Sequence, residues 1–524
     1  MKRIVIIVIV LLLCLLLVAC SSDSPATPKQ EAHFTTATAP LPYLLPERTL
    51  LAIEIHGLAR RWPEVRALQP LARFQDRLLE QTGLRPDDVP LLSGDRSVVA
   101  LVSGSRGNAV VPLAVLVPPN VESAASLLGS LGSDWSVARA RGALWVAPGD
   151  VASDLENIAR GDGTSLSGIV PLDEADDRLP SGGLARGWVN PAALTRFLRT
   201  RSEKRLSAPI DVVAELLAAE LDAVRWIGFR RDLDAGKIIT DVVTAYDTRV
   251  LPREVAQMLD PAATGARIPT QLPENIVAAA AFRQETRGAL PWLKFLAERS
   301  PRSPLRNFEF WLEEFEDRYN RSLTADLFGA LGEHAWLLVF EPRAADAPTW
   351  VLILQSSDSR RAEATSLALL DWSVEQAWMR TLGLALPRVR DYDRDGMTIH
   401  ELSVHTPFGE VAGPVFVAVD GYIVAATEER TMLDGVSLLQ TRAFSATAEN
   451  PEQPTAHMSL WARGPAVAGA VNSILALCDA EGYRNVLAQA LPELLKSVSS
   501  ASTQAWYEPD AVRIHGEILL ERHD

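Results

Sequence analysis

From Leu45 onward the chain alternates between short apolar runs and longer stretches with helical spacing. Thr49-Leu50-Leu51-Ala52-Ile53-Glu54-Ile55, Ser97-Val98-Val99-Ala100-Leu101, Pro112 to Val117 and Leu144-Trp145-Val146-Ala147 are rich in β-branched and aromatic residues. Each is too short for a stable helix, so each predicts a strand. Asn120 precedes the run Val121 to Leu131, and Ser357 precedes Arg360 to Trp378, each offering a side-chain oxygen to the first amides of a helix. Arg141-Gly142 and Asp420-Gly421 mark tight hairpins. The pattern predicts an α+β fold of largely antiparallel sheets with helices packed on one face.

The same order of elements occurs twice. Leu45-Pro46-Glu47 and its strand recur as Leu272-Pro273-Glu274 followed by Ile276 to Phe282, an offset of 227 (273 − 46). Gly94 stops a short helix before Asp95 and an apolar strand, and Gly332 does the same before Glu333, an offset of 238 (332 − 94). Trp188-Val189-Asn190-Pro191 answers to Ala462-Arg463-Gly464-Pro465, and each half closes with a hairpin, Val224 to Ala245 and Ser502 to Leu520. These matches predict two tandem homologous repeats, residues 43–262 and 270–524, with a Pro- and Gly-containing boundary near Asp260 to Gln271. The largest difference between them is an insertion around Thr381 to Pro414. It is expected at the surface beside a groove between the halves, where it would be the segment to touch a partner.

The first residues follow another pattern. Lys2 and Arg3 are followed by an unbroken apolar run, Ile4 to Val18, and then by Ala19 and Cys20. That run falls short of the ~20 apolar residues a membrane-spanning helix needs, and its order of charged, apolar and small segments is that of a signal peptide. Leu17-Val18-Ala19-Cys20 resembles the lipobox of bacterial lipoproteins. The resemblance implies cleavage between Ala19 and Cys20, with covalent diacylglycerol and an N-acyl lipid on Cys20 as the only attached groups. Residues 1–19 are then a signal peptide. Residues 20–42, rich in Ser, Thr, Ala and Pro, are a lipidated flexible tether. Ser21 after the cysteine implies the periplasmic face of the outer membrane, or the cytoplasmic membrane if the envelope has only one.

Composition narrows the partners. The formal charge of −15 becomes −17 once Lys2 and Arg3 leave (−15 − 2), which disfavours nucleic acid and leaves the acyl chains to hold the membrane. Of the three cysteines, Cys14 would leave with the signal and Cys20 carries lipid. Cys478 is expected to be a small buried hydrophobe.

The opening Leu45-Pro46-Glu47-Arg48-Thr49-Leu50, an "L-P-x-x-T-L" start, is followed by the Trp-containing segment Arg61-Trp62-Pro63-Glu64-Val65 and the glycine-charge-strand step. Together they resemble a widespread bacterial domain of unknown function whose members are often exported or lipid-anchored. The resemblance carries no catalytic residue.

Candidate chemistry is sparse. Asp391, Asp393 and Asp395 before Gly396 resemble the start of a calcium loop, but Leu402 stands where the closing glutamate belongs. An Asp-Gly hairpin turn with an acidic tip explains the same residues. Arg196, Arg199, Arg201, Lys204 and Arg205 form a basic run suited to an anionic envelope polymer or to the C-terminal end of a helix. In Asn307 to Tyr319, Phe308, Leu312, Phe315 and Tyr319 make an apolar stripe, with Glu309, Glu313, Glu316 and Asp317 away from it. The eight histidines have no metal-ligand spacing. The sequence therefore points to a non-catalytic binding or scaffold lipoprotein whose partner is another envelope protein or polymer. A hydrolase of envelope polymers using carboxylates between the halves, and a carrier of an apolar ligand, are the alternatives.

Overall fold

The computed structural model describes residues 41–520 except 68–84 (76 apart), 105–109, 130–134, 141, 149–150, scattered positions between 152 and 169, 203–207, 235–236, 259–266, 270–271, 284–285, 301–306, 342–348, 376–386, 407–408, 441–455 and 465–497 (466 apart). The chain is α+β. Its strands are β1 (Thr49–His56), β2 (Arg96–Ser103), β3 (Val110–Val117), β4 (Trp135–Ala140), β5 (Ala143–Pro148), β6 (Ala185–Val189), β7 (Val224–Asp234), β8 (Lys237–Tyr246) and β9 (Ile276–Arg283). They continue with β10 (Leu331–Phe340), β11 (Trp350–Ser356), β12 (Pro387–Arg394), β13 (Met397–Thr406), β14 (Gly409–Val419), β15 (Tyr422–Ala426), β16 (Met458–Arg463), β17 (Val498–Glu508) and β18 (Ala511–Leu520).

All of these strands join one antiparallel sheet. The strands up to residue 246 are ordered β4-β5-β3-β2-β1-β6-β7-β8. Those from residue 276 onward are ordered β12-β13-β14-β15-β11-β10-β9-β16-β17-β18. The two sets meet edge to edge where β8 pairs with β18. Beside this backbone ladder the helix Ala208–Leu221 packs against the helix Thr286–Arg299, with Ala219, Phe295 and Leu296 in one apolar cluster.

Local sequence fixes the ends of several elements. Gly94 adopts φ +56, and an added Cβ there would lie 1.9 Å from the Val117 carbonyl oxygen, so only glycine suits this helix stop. Asn120 Oδ1 accepts the Ser123 amide at 3.0 Å. The helix Ser359–Glu375 is capped one residue later than its sequence suggests. Asp358 Oδ1 accepts the Arg361 amide at 3.1 Å, while the Ser357 hydroxyl turns to the Ala330 carbonyl. Asp395 and Gly396, at φ +51 and +77, form the tight turn between β12 and β13.

The expectation of helices on one face is corrected. Ile423 and Val424 are neighbours on β15 and so point to opposite faces. Ile423 packs against Ala362 of the helix Ser359–Glu375, whereas Val424 packs with Met432 and Val436 of the helix Glu429–Gln440. Strands such as β2, with Val98, Val99 and Ala100 all buried, have two apolar faces and need cover on both sides. A second correction concerns the insertion. It supplies β12 and β13, which extend the outer edge of the sheet, at the opposite end of the later strands from the β8–β18 junction.

Candidate functional site

The register places one polar side chain after another in a row across the middle of the sheet. Glu54 on β1 stands opposite Arg186 on β6, Arg186 opposite Arg230 on β7, and Arg230 opposite Asp241 on β8. Across the junction, Asp241 faces His515 on β18, His515 faces Gln504 on β17, and Gln504 faces Ser459 on β16. Directly opposed residues share a face of the sheet, so the row lies on one side, level with Trp188 and Trp226 two residues along β6 and four along β7.

Much of the row is buried and paired. Glu54, 5% exposed, accepts Nε of Arg96 at 3.0 Å. Arg230 donates to Asp241 at 3.1 Å, to Asp232 at 2.7 Å and to the Gly182 carbonyl at 3.1 Å. His515 Nδ1 lies 2.8 Å from Asp241 Oδ1, and Lys237 reaches Glu517 at 3.2 Å. Beside Glu54 the fields compete. Burial pushes the Asp176 carboxyl above the ordinary aspartate range, Arg186 at 3.5 Å pulls it back, and the charge of Glu54 adds to the rise. Burial likewise holds the His56 imidazole below its usual value, against the opposing charge of Glu54.

Two further networks flank the row. At the far end of the junction Arg178 grips Asp510 through both oxygens, at 2.9 and 2.7 Å, and Arg513 donates to the Arg178 carbonyl at 3.0 Å. The guanidinium holds the Asp510 carboxyl below the usual range. In the outer hairpin, His400 is 5% exposed and lies between two carboxylates, Asp391 Oδ1 at 2.8 Å from Nδ1 and Glu363 Oε1 at 3.2 Å from Nε2. Glu363 also accepts the Ala418 amide of β14 at 3.1 Å, so the helix Ser359–Glu375 is tied both to the hairpin and to β14.

The residues singled out by sequence do not gather in one place. Ala19, Cys20 and Cys478 lie outside the described residues, as do Lys204 and Arg205. Arg196 is exposed, Arg199 pairs with Asp222, and of Arg201 only the helical backbone is described. Asp391 is taken by His400, Asp393 accepts the Thr398 hydroxyl at 2.9 Å, and Asp395 sits in the turn. The hairpin reading of these acids holds. On the helix Phe308–Tyr319 the apolar stripe packs around Phe315 and Trp372. Glu316 caps the next turn by accepting the Leu323 amide at 3.2 Å.

The row itself was missed, although it leaves a trace in the sequence. Glu54 interrupts an apolar strand, and Arg230-Arg231-Asp232 puts three charges in a row within another. Charges inside strands that also carry buried tryptophans call for partners, but only strand order says which. The chain matches no family model, no curated protein and no solved structure.

Proposed function

We propose that this chain is a lipid-anchored lipoprotein of the cell envelope, built from two copies of one α+β unit, that binds or scaffolds another envelope component without catalysing a reaction. The address rests on the run Ile4 to Val18 and the lipobox ending at Cys20. Two copies are supported by strand order. With β12 and β13 set aside, β14-β15-β11-β10-β9-β16-β17-β18 repeats the sequence-relative order of β4-β5-β3-β2-β1-β6-β7-β8.

The observation that carries the binding reading is the polar row from Glu54 to Ser459. Its carboxylates are each held by a cation, so it offers fixed donors and acceptors on a rigid sheet, as recognition requires. Anchoring is tested by Cys20→Ser, which should abolish fatty-acid labelling and release the body or leave the uncut precursor. For the binding role, a photo-crosslinking residue in place of Gln504, an exposed member of the row, should capture a discrete envelope component in intact cells. Failure to capture anything from Gln504 or Ser459 would sink this role for the row.

One observation favours the hydrolase reading, namely the Asp176 carboxyl raised by burial near Glu54, since such a group can act as an acid. Asp176→Asn should then abolish cleavage of an envelope glycan by the purified chain. Absence of cleavage by the wild type removes the reading.

A further inference from the structure

The outer hairpin presents one of the sheet's two edges, β4 being the other. Among the described residues β12 pairs only with β13, and Arg388, Val389 and Arg390 are exposed, Val389 at 37%. The turn Asp395-Gly396 closes a two-residue hairpin, so the flanking pair Arg394 and Met397 exchange both backbone bonds. Bonding then alternates along β12. The backbone N–H and C=O groups of Asp393, Asp391 and Val389 point away from β13, toward any strand that would lie alongside.

The side chains flanking this edge are sorted by charge. Arg388, Arg390, Tyr392 and Arg394 share one face, since alternate strand residues do. Arg394 is tied to Glu429 and Arg390 lies over the Tyr392 ring at 5.9 Å. Arg388 makes no ion pair among the described residues. Such a basic edge stands out on a chain of net charge −15.

A second copy of this chain is disfavoured at the edge. Two identical antiparallel strands must be related by a twofold axis perpendicular to the sheet, which sets residue i opposite residue j with i + j even. Every such register that pairs five or more residues of the strand sets one arginine of Arg388, Arg390 and Arg394 opposite another across the dyad, or opposite itself, and like charges directly opposed are unfavourable.

We propose that β12 is a docking edge for an extended segment of another protein, added as a further antiparallel strand, with carboxylates at alternate positions along the arginine face. Main-chain bonds to Val389, Asp391 and Asp393 supply the grip, and Arg388 and Arg390 select the acidic register. This inference rests on the reading of the chain as a binding protein, but places the contact at the outer hairpin and not on the polar row.

The test uses the full chain in detergent and a fluorescent peptide of alternating glutamate and threonine, followed by anisotropy. Saturable binding is expected, and it should weaken at least about tenfold when the peptide is N-methylated at every second residue in the bonding frame, as the loss of buried backbone bonds implies. Val389→Pro removes one outward N–H without touching the β12–β13 ladder and should weaken binding similarly. Arg388→Glu with Arg390→Glu should abolish it. Equal binding of the methylated and unmethylated peptides would show charge attraction without strand addition, and overturns the proposal. So does the lack of saturable binding, or equal affinity for a lysine-threonine peptide. The crosslinking from Gln504 is indifferent to all of these outcomes, so the two readings fail separately.

Discussion

His515 and Asp241 stand opposite each other midway along the β8–β18 ladder, with Nδ1 of the imidazole 2.8 Å from Oδ1 of the carboxylate. Each strand has ten residues, and Lys237 faces Leu519 while Ala245 faces Ala511. Position by position, the pairing is the same read from either end, and its centre falls on this pair. A twofold relation between the sets of strands would pass through it, although the residues there are different and complementary.

Asp241, 8% exposed, is the shared partner of Arg230 and His515. Asp241→Ala should leave the half-buried Arg230 guanidinium undercompensated and destabilise the protein by about 2 kcal/mol. Urea denaturation of the single variants, and of the double variant with His515→Ala, should show a coupling of about 1 kcal/mol. Strict additivity would mean that the contact across the junction carries no energy.

Asp510 tests the junction by pH. Because Arg178 depresses its carboxyl in the fold, the unfolded chain binds the proton more readily. The resulting stability is present above the unfolded value of about 4 and is lost as pH falls through the folded value. Asp510→Asn should therefore lower the denaturation midpoint at neutral pH and narrow its gap to wild type as the solution is acidified below about pH 4. A gap that is constant with pH contradicts the assignment.

Gly94 and Gly332, matched by sequence, should respond differently to alanine. At Gly94 the obstacle is the Val117 backbone oxygen at 1.9 Å, with φ at +56. At Gly332 it is Gln355 Cγ at 2.7 Å, part of a flexible side chain that can move. Gly94→Ala should cost about 3 kcal/mol and Gly332→Ala about 1 kcal/mol or less. Thermal midpoints of the two variants decide, and a reversed order would refute the packing described at these sites.

His400→Ala should act locally. Losing the bridge from Asp391 to Glu363 should speed amide exchange in β12 and β13 by about tenfold or more, while β7, β8 and β18 keep their protection. Uniform acceleration throughout the sheet would instead make His400 part of the global core.

The strands were legible because their runs are short, apolar and punctuated. Gly94 and the Asp395-Gly396 turn were readable letter by letter, since positive φ demands those residues. Cover on both faces was also within reach, because a run such as Val98-Val99-Ala100 leaves no polar side. What could not be read was adjacency. Nothing near residues 237–246 indicates that residues 511–520 lie beside them, and so the meeting of Arg230, Asp241 and His515 had no local signal. The insertion was misplaced for the same reason. Its novelty was visible, but the outer edge it extends is defined by strand order alone.

β18 is the latest of the described strands in the chain, yet it lies inside the sheet, between β8 and β17. During synthesis, β8 must therefore wait with one side unpaired until Leu520 has been made. A strand edge bared for that long invites the wrong neighbour. The order of strands thus sets a demand on timing: the half made first needs shelter, from a chaperone or from delayed collapse, until the half made last arrives to close it.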